Sequence, residues 1–292
     1  MSLVSKLVCW TFFRGDEKRD AGLTTPDNVE RFDDIQYGSD PKWNVLDVYR
    51  PKDKEGRLPV IVSVHGGGWV YGDKERYQYY CMSLVKNGFA VVNYTYRLAP
   101  KFKYPAQMED TDRVFAWVQE NADKYGFDTN NIFAVGDSAG GHMLALYCCL
   151  CNDSELAKKN GIRIEGKLPK AVALNCGVYY VEKPKKFDMI STLIADLLPN
   201  KGTDEELHMI SPIEHVTSDF PPAIVMTAEG DFLKDMARPM TEKLKSVGSS
   251  AHYMYYGDKD HVLGHVFHVN MKLAEADRCN RDQCAFFNSF VD

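Results

Sequence analysis

Apolar and polar positions fall into blocks along this chain, and the period of each block predicts an element. Asn44 to Tyr49 alternates apolar and polar residues and ends at Pro51, as a strand entering a fold does. Pro59 to Val64, Phe89 to Tyr96, Asn131 to Val135, Ala171 to Cys176, Pro222 to Thr227 and Ala251 to Tyr256 are short apolar runs of strand length. Between them, helical spacing marks Glu75 to Lys86, Gln107 to Lys124, His142 to Leu150, Met189 to Leu198 and Asp235 to Val247. Gly88 and Gly248 stop two of these, and a C-terminal helix is expected from about Phe267. Ser5 to Phe13 reads as a short amphipathic helix, and Arg14 to Arg19 as a charged, solvated stretch. Strand and helix alternate at least five times, which predicts an α/β fold with a mostly parallel sheet covered on both faces. Reactive groups in such folds stand on loops beyond the C-terminal strand ends.

Composition changes this picture little. The 292 residues suit a single domain, and 45% hydrophobic with 26% charged is an ordinary globular balance. The net charge of −6, without a basic run, argues against nucleic acid as a partner. No run reaches the roughly 18–20 apolar residues of a membrane-spanning helix. Leu3 to Phe13 lacks the small-residue cleavage site of a signal peptide, so a cytoplasmic location is the expectation. The eight cysteines show no metal-type spacing, and neither do His208, His215 and His252; buried free thiols, no metal and no cofactor are expected.

The chemistry is concentrated in two glycine-rich turns. Gly136-Asp137-Ser138-Ala139-Gly140 joins a predicted strand to a predicted helix, the G-x-S-x-G pattern of a serine lifted off a sheet edge on a sharp turn. Glycines on either side let strand and helix approach around that turn. His65-Gly66-Gly67-Gly68 follows an earlier strand, and three glycines let a loop show its amides to a developing oxyanion. A phosphate cradle would instead carry Gly-Lys-Ser/Thr or G-x-G-x-x-G, and neither occurs. A nucleophilic serine needs a base and an orienting acid, placed downstream in this fold class in the order acid, then histidine. Asp231, on the loop after the strand ending at Thr227, is preferred to Glu229 and Asp235 as the acid. His265 is preferred to His261 and His268 as the base.

Together these motifs resemble the α/β-hydrolases of the hormone-sensitive-lipase group, the microbial carboxylesterases with an HGGG loop. The resemblance extends from about Asp34 to the C-terminus. It rests on His65-Gly66-Gly67-Gly68-Trp69, Tyr96-Arg97-Leu98-Ala99-Pro100, Tyr104-Pro105-Ala106, Gly136 to Gly141, Ser211-Pro212, Pro221-Pro222, Asp231-Phe232-Leu233 and His265-Val266-Phe267. It implies an α/β-hydrolase fold, a triad of Ser138, Asp231 and His265, and an oxyanion hole of Gly66, Gly67, Gly68 and Ala139. Lys101, Phe232 and Val266 depart from the Glu, Pro and Gly usual in the group, without removing a reactive side chain.

The resemblance also implies a small helical cap from residues 1 to about 40 and roughly 178–210. That cap would bring Trp10, Phe12, Phe13, Tyr179, Tyr180, Phe187, Met189, Ile190 and Leu193 over the cleft, most of them as packing between cap and core. Trp69 and Asp137 are expected beside the substrate pocket, with Trp69 limiting it to short acyl groups. His142 is expected to pack under the elbow, and Arg97 to pair with Asp110 or Asp137. The function implied is hydrolysis of short-chain, acetyl-type esters of a carbohydrate or small alcohol through an acyl-enzyme. A peptidase or amide hydrolase on the same fold, and a non-catalytic ligand-binding member, are the alternatives. Members of the group are often dimers, which leaves a homodimer open, although no stretch marks an interface.

Overall fold

The computed structural model describes residues 1–182 and 188–292, so Pro184 and Phe187 lie outside the described residues. Eight strands form one sheet: β1 (Val29–Gln36), β2 (Val45–Pro51), β3 (Leu58–Val64), β4 (Ala90–Tyr94), β5 (Phe127–Asp137), β6 (Ala171–Asn175), β7 (Ala223–Ala228) and β8 (Ala251–Tyr256). Their order is β1-β2-β4-β3-β5-β6-β7-β8. β3 to β8 are parallel, and β1 and β2 run antiparallel at one edge. β1 was not expected: its sequence, Val-Glu-Arg-Phe-Asp-Asp-Ile-Gln, is polar because an edge strand faces water, and it falls within the stretch expected to cap the cleft.

The helices are α1 (Leu3–Asp20), α2 (Lys74–Val85), α3 (Ala106–Glu120), α4 (Ala122–Tyr125), α5 (Ala139–Asn152), α6 (Ser154–Lys159), α7 (Met189–Leu197), α8 (Asp204–Met209), α9 (Lys234–Ser246) and α10 (Ala274–Asn288). Alternate residues of each inner strand feed two apolar layers. Val60, Val62 and Val64 pack with Phe115, Leu144 and Leu244 on one face. Ile61 packs with Met82, Leu84 and Phe287 on the other. The helix expected from Phe267 begins later; Phe267–Val269 is a single 3-10 turn, and α10 starts at Ala274.

Register places the reactive loops together. Val64 lies opposite Gly136, Asp137 opposite Asn175, and Ala228 opposite Tyr256. The chain therefore leaves β3, β5, β7 and β8 from one edge of the sheet, as Gly66–Gly68, Ser138, Asp231 and His265 require.

α1 corrects the reading of the N-terminus. Ser2 caps it, accepting the Ser5 amide at 3.0 Å, and the helix runs on through Arg14 to Arg19 rather than ending in a solvated stretch. Ser5 Oγ donates to Asp196 Oδ2 of α7 at 2.6 Å, Tyr71 Oη donates to Asp16 Oδ2 at 2.8 Å, and Arg76 Nη1 meets Glu17 Oε1 at 2.8 Å. Trp10 and Phe13 point outward, at 62% and 41% exposure, and do not cover the cleft.

Candidate active site

The turn at Ser138 is a site of strain. Its φ of 52° and ψ of −119° put a non-glycine residue in a region L-residues avoid. Glycine is required around it: a Cβ at Gly140 would stand 2.0 Å from the Val64 carbonyl oxygen, and one at Gly136 2.6 Å from that of Gly140. The Ser138 amide donates to the Asn175 carbonyl at 2.9 Å, which fixes the turn to β6.

Three residues expected to act together meet here. Ser138 Oγ lies 3.0 Å from His265 Nε2, and His265 Nδ1 lies 2.6 Å from Asp231 Oδ1. Asp231 also accepts from Thr227 Oγ1 at 2.7 Å and from the Leu233 amide at 2.9 Å. Burial pushes the Asp231 carboxyl up, but those bonds, led by His265, outweigh it and hold it below the usual carboxylate range. The acid and histidine loops are tied by their backbones, with the Gly230 amide donating to the Leu263 carbonyl at 2.8 Å. Phe232 stacks obliquely on His265 with ring centroids 4.3 Å apart.

The competing candidates are elsewhere. His261 is exposed and meets Glu275 at 2.7 Å. His268 is buried edge-on to Tyr80, and burial drops its pKa to about 3. Glu229 bonds Tyr255 and Lys234 instead of a histidine. Arg97 pairs with Asp110, its Nε 2.9 Å from Oδ2. Cys176, Asp231 and His265 have donor atoms within 4.8 Å of one another, a possible metal grouping by distance. Burial pushes the Cys176 thiol well up, and the Asp231 carboxylate is already committed to Thr227, Leu233 and His265.

Of the four residues expected to supply oxyanion donors, one differs. The Gly66 amide donates to Tyr77 Oη at 3.0 Å and is taken. Among the described residues, the amides of Gly67, Gly68 and Ala139 have no acceptor in turns, loops or caps. A Cβ on Gly67 would lie 2.1 Å from the Tyr71 carbonyl oxygen, at a φ of 113°. Trp69, 2% exposed, donates from Nε1 to His142 Nδ1 at 3.3 Å, while His142 Nε2 lies 2.7 Å from the Ile210 carbonyl. Burial lowers the His142 pKa to about 4, so the ring is neutral: Nδ1 accepts and Nε2–H donates. Asp137 is buried, and its Oδ2 accepts from Tyr77 Oη at 2.7 Å.

Ser138 opens into two spaces. One is a slot of about 20 Å³ bounded by Gly68, Trp69, Ala139, Val178, Met189, Ile190 and Leu193. The other is a chamber of about 350 Å³ bounded by His265, Gly66, Gly67, Tyr71, Tyr77, Asp137 and, from α1, Asp16 and Arg19. Phe12 and Phe232 border both, and Tyr179 is buried away from either. Sequence reasoning missed Tyr71, Tyr77, Asp16 and Arg19. The inward stripe Ser5, Val8, Phe12, Asp16, Arg19 has helical spacing and was available, but its charged end looked solvated.

Residues 46–239 match the BD-FAE family. Esterase LipC of Mycobacterium tuberculosis is 30% identical over 233 residues, which is 74% of this chain and 55% of that protein. The chain spans about half the length of the first curated relatives it matches. An esterase of Pyrobaculum calidifontis superposes with a TM-score of 0.79 at 28% identity, covering 99% of this chain and 94% of the other. Esterase B from Lactobacillus rhamnosis, in a phosphonate-inhibited form, superposes at 0.88 with 24% identity over 98% and 94%, a likeness of fold. The fold is that of an α/β-hydrolase. Among the described residues no helix is long and apolar enough to cross a membrane.

Proposed function

The chain belongs to the BD-FAE family, and on that premise we propose that it is a carboxylesterase acting on esters of short, acetyl-sized acyl groups, with Ser138 as nucleophile, His265 as base and Asp231 as its orienting acid. The unbroken line of hydrogen bonds from Ser138 Oγ through His265 to Asp231, at 3.0 and 2.6 Å, carries this reading. Ser138 Oγ attacks the ester carbonyl as its proton passes to His265 Nε2. The carbonyl oxygen becomes an oxyanion and takes hydrogen bonds from the amides of Gly67, Gly68 and Ala139. Asp231, held ionised by Thr227, Leu233 and His265, stabilises the imidazolium. Nε2–H then protonates the leaving alcohol, the C–O bond breaks, and the acyl group stays on Ser138. Water, deprotonated by His265, attacks the acyl-enzyme and frees the acid. The slot supports the acetyl preference, because about 20 Å³ admits roughly one water- or methyl-sized group.

Phenyl acetate and a fluorophosphonate probe test this. The wild-type chain is expected to cleave the ester and to be labelled once, and Ser138→Ala to lose labelling and at least about 10³-fold in kcat. Hydrolysis that survives Ser138→Ala unchanged would overturn the proposal.

A further inference from the structure

The two spaces beside Ser138 differ in chemistry, and proton transfer says which half of an ester each takes. The leaving alcohol must collect its proton from His265 Nε2. His265 bounds the chamber and not the slot. On the esterase reading above, the acyl group therefore sits in the slot and the alcohol in the chamber.

The chamber wall contributed by α1 is polar and rich in acceptors. Asp16 Oδ1 accepts from Arg19 Nη1 at 2.8 Å, and Oδ2 accepts from Tyr71 Oη at 2.8 Å. Each carboxylate oxygen has capacity for two hydrogen bonds and uses one here, so each keeps one open position. The Tyr71 hydroxyl already donates its hydrogen bond to Asp16, and the Tyr77 hydroxyl donates its own to Asp137. Arg19 adds few donors: of its five N–H groups, four go to Asp16, to both oxygens of Asp20 and to the Arg76 carbonyl. Asp16 and Asp20 balance its charge, so the wall does not favour an anion. An alkyl alcohol in this chamber strips water from those acceptors and replaces it with nothing, whereas a hydroxylated one restores the bonds.

We propose that the chamber is a subsite for an uncharged, polyhydroxylated alcohol, with Asp16 accepting from one of its free hydroxyls. Glycerol and sugar esters share this chemistry, and matched pairs of acetates distinguish them from alkyl esters and from each other. Glyceryl monoacetate against propyl acetate changes only the hydroxyls of a three-carbon alcohol. Glucose acetylated at its primary hydroxyl against (tetrahydropyran-2-yl)methyl acetate does the same for a ring. Wild-type kcat/KM is expected to favour the hydroxylated member of at least one pair by about tenfold, chiefly through KM, the order expected of one hydrogen bond to a charged acceptor. The pair with the larger ratio identifies the source. In Asp16→Ala that ratio should fall toward one. A wild-type ratio at or below one in both pairs, or a ratio that Asp16→Ala leaves intact, overturns the subsite while leaving the esterase reading standing. Cleavage of none of the four esters sinks the esterase reading, and the subsite with it.

Discussion

The Tyr77 hydroxyl donates to Asp137 Oδ2 at 2.7 Å while accepting the Gly66 amide at 3.0 Å. One side chain of α2 thereby joins the glycine loop to the residue before Ser138. Tyr77→Phe keeps the ring and deletes both bonds, stranding a buried amide and a buried carboxyl. Stability is expected to drop by about 1–3 kcal/mol in denaturant melts. In steady-state assays kcat should fall about tenfold with KM little moved, because the glycine loop proposed to meet the oxyanion loses its anchor. An unchanged kcat would mean that the loop holds its shape without Tyr77.

Asp137 makes stability depend on pH. Burial pushes its carboxyl up to about 7, against the Tyr77 hydrogen bond and the Arg19 charge, which pull it down. An unfolded aspartate titrates near 4, so between about pH 4 and 7 the folded state holds a proton that the unfolded state has released. This contribution is fully present below about pH 4 and is lost as pH rises through about 7. Asp137→Asn removes the titration while its amide oxygen still accepts from Tyr77. The difference in Tm, variant minus wild type, should become more positive between about pH 5 and pH 8. A difference that is flat with pH would rule out this role for Asp137.

Val266, beside the histidine, sits at φ 50° and ψ 34°, the left-handed region that suits glycine and strains a β-branched residue. Val266→Gly and Val266→Ala lose similar packing, but only the glycine loses the Cβ. The glycine variant is expected to be more stable than the alanine by about 1 kcal/mol, on the same urea-melt protocol. Equal stabilities would show that this backbone stores no strain.

Leu193 of α7 closes the slot; its Cδ1 stands 2.8 Å from where a Gly68 Cβ would be. Leu193→Ala should open that end. The ratio of kcat/KM for phenyl butyrate over phenyl acetate is expected to rise by about tenfold or more, the value of added methylenes in a pocket. A ratio that does not move would place the limit on acyl length at Trp69 or elsewhere.

The inner strands were legible because their apolar runs are buried on both faces, and the reactive residues because each follows such a run on a glycine-rich or acidic loop. Ser138, Asp231 and His265 lie far apart in sequence, yet the order of strand ends brings them within hydrogen-bond reach. β1 was illegible because an edge strand carries Glu30, Asp33 and Asp34 toward solvent. Asp16 and Arg19 were misread for a related reason: charge on a helix signals water unless a cavity lies beneath it, and only the fold shows the cavity. The Gly66 amide was assigned to the oxyanion because nothing in the local sequence announces that Tyr77, eleven residues on, occupies it.

α1 leaves the ribosome before anything it binds has been made. Its contacts are with Tyr71, Arg76, Asp196 and Lys272, the last of them near the C-terminus. Ser138 is thus synthesised before the second half of those contacts exists, and the helix stays undocked from α7 until Asp196 has emerged. The α1 wall of the chamber is the first part of it to be translated and among the last to be set in place. A nascent chain stalled after β6 therefore carries Ser138 without the α1 surface that completes the chamber beside it.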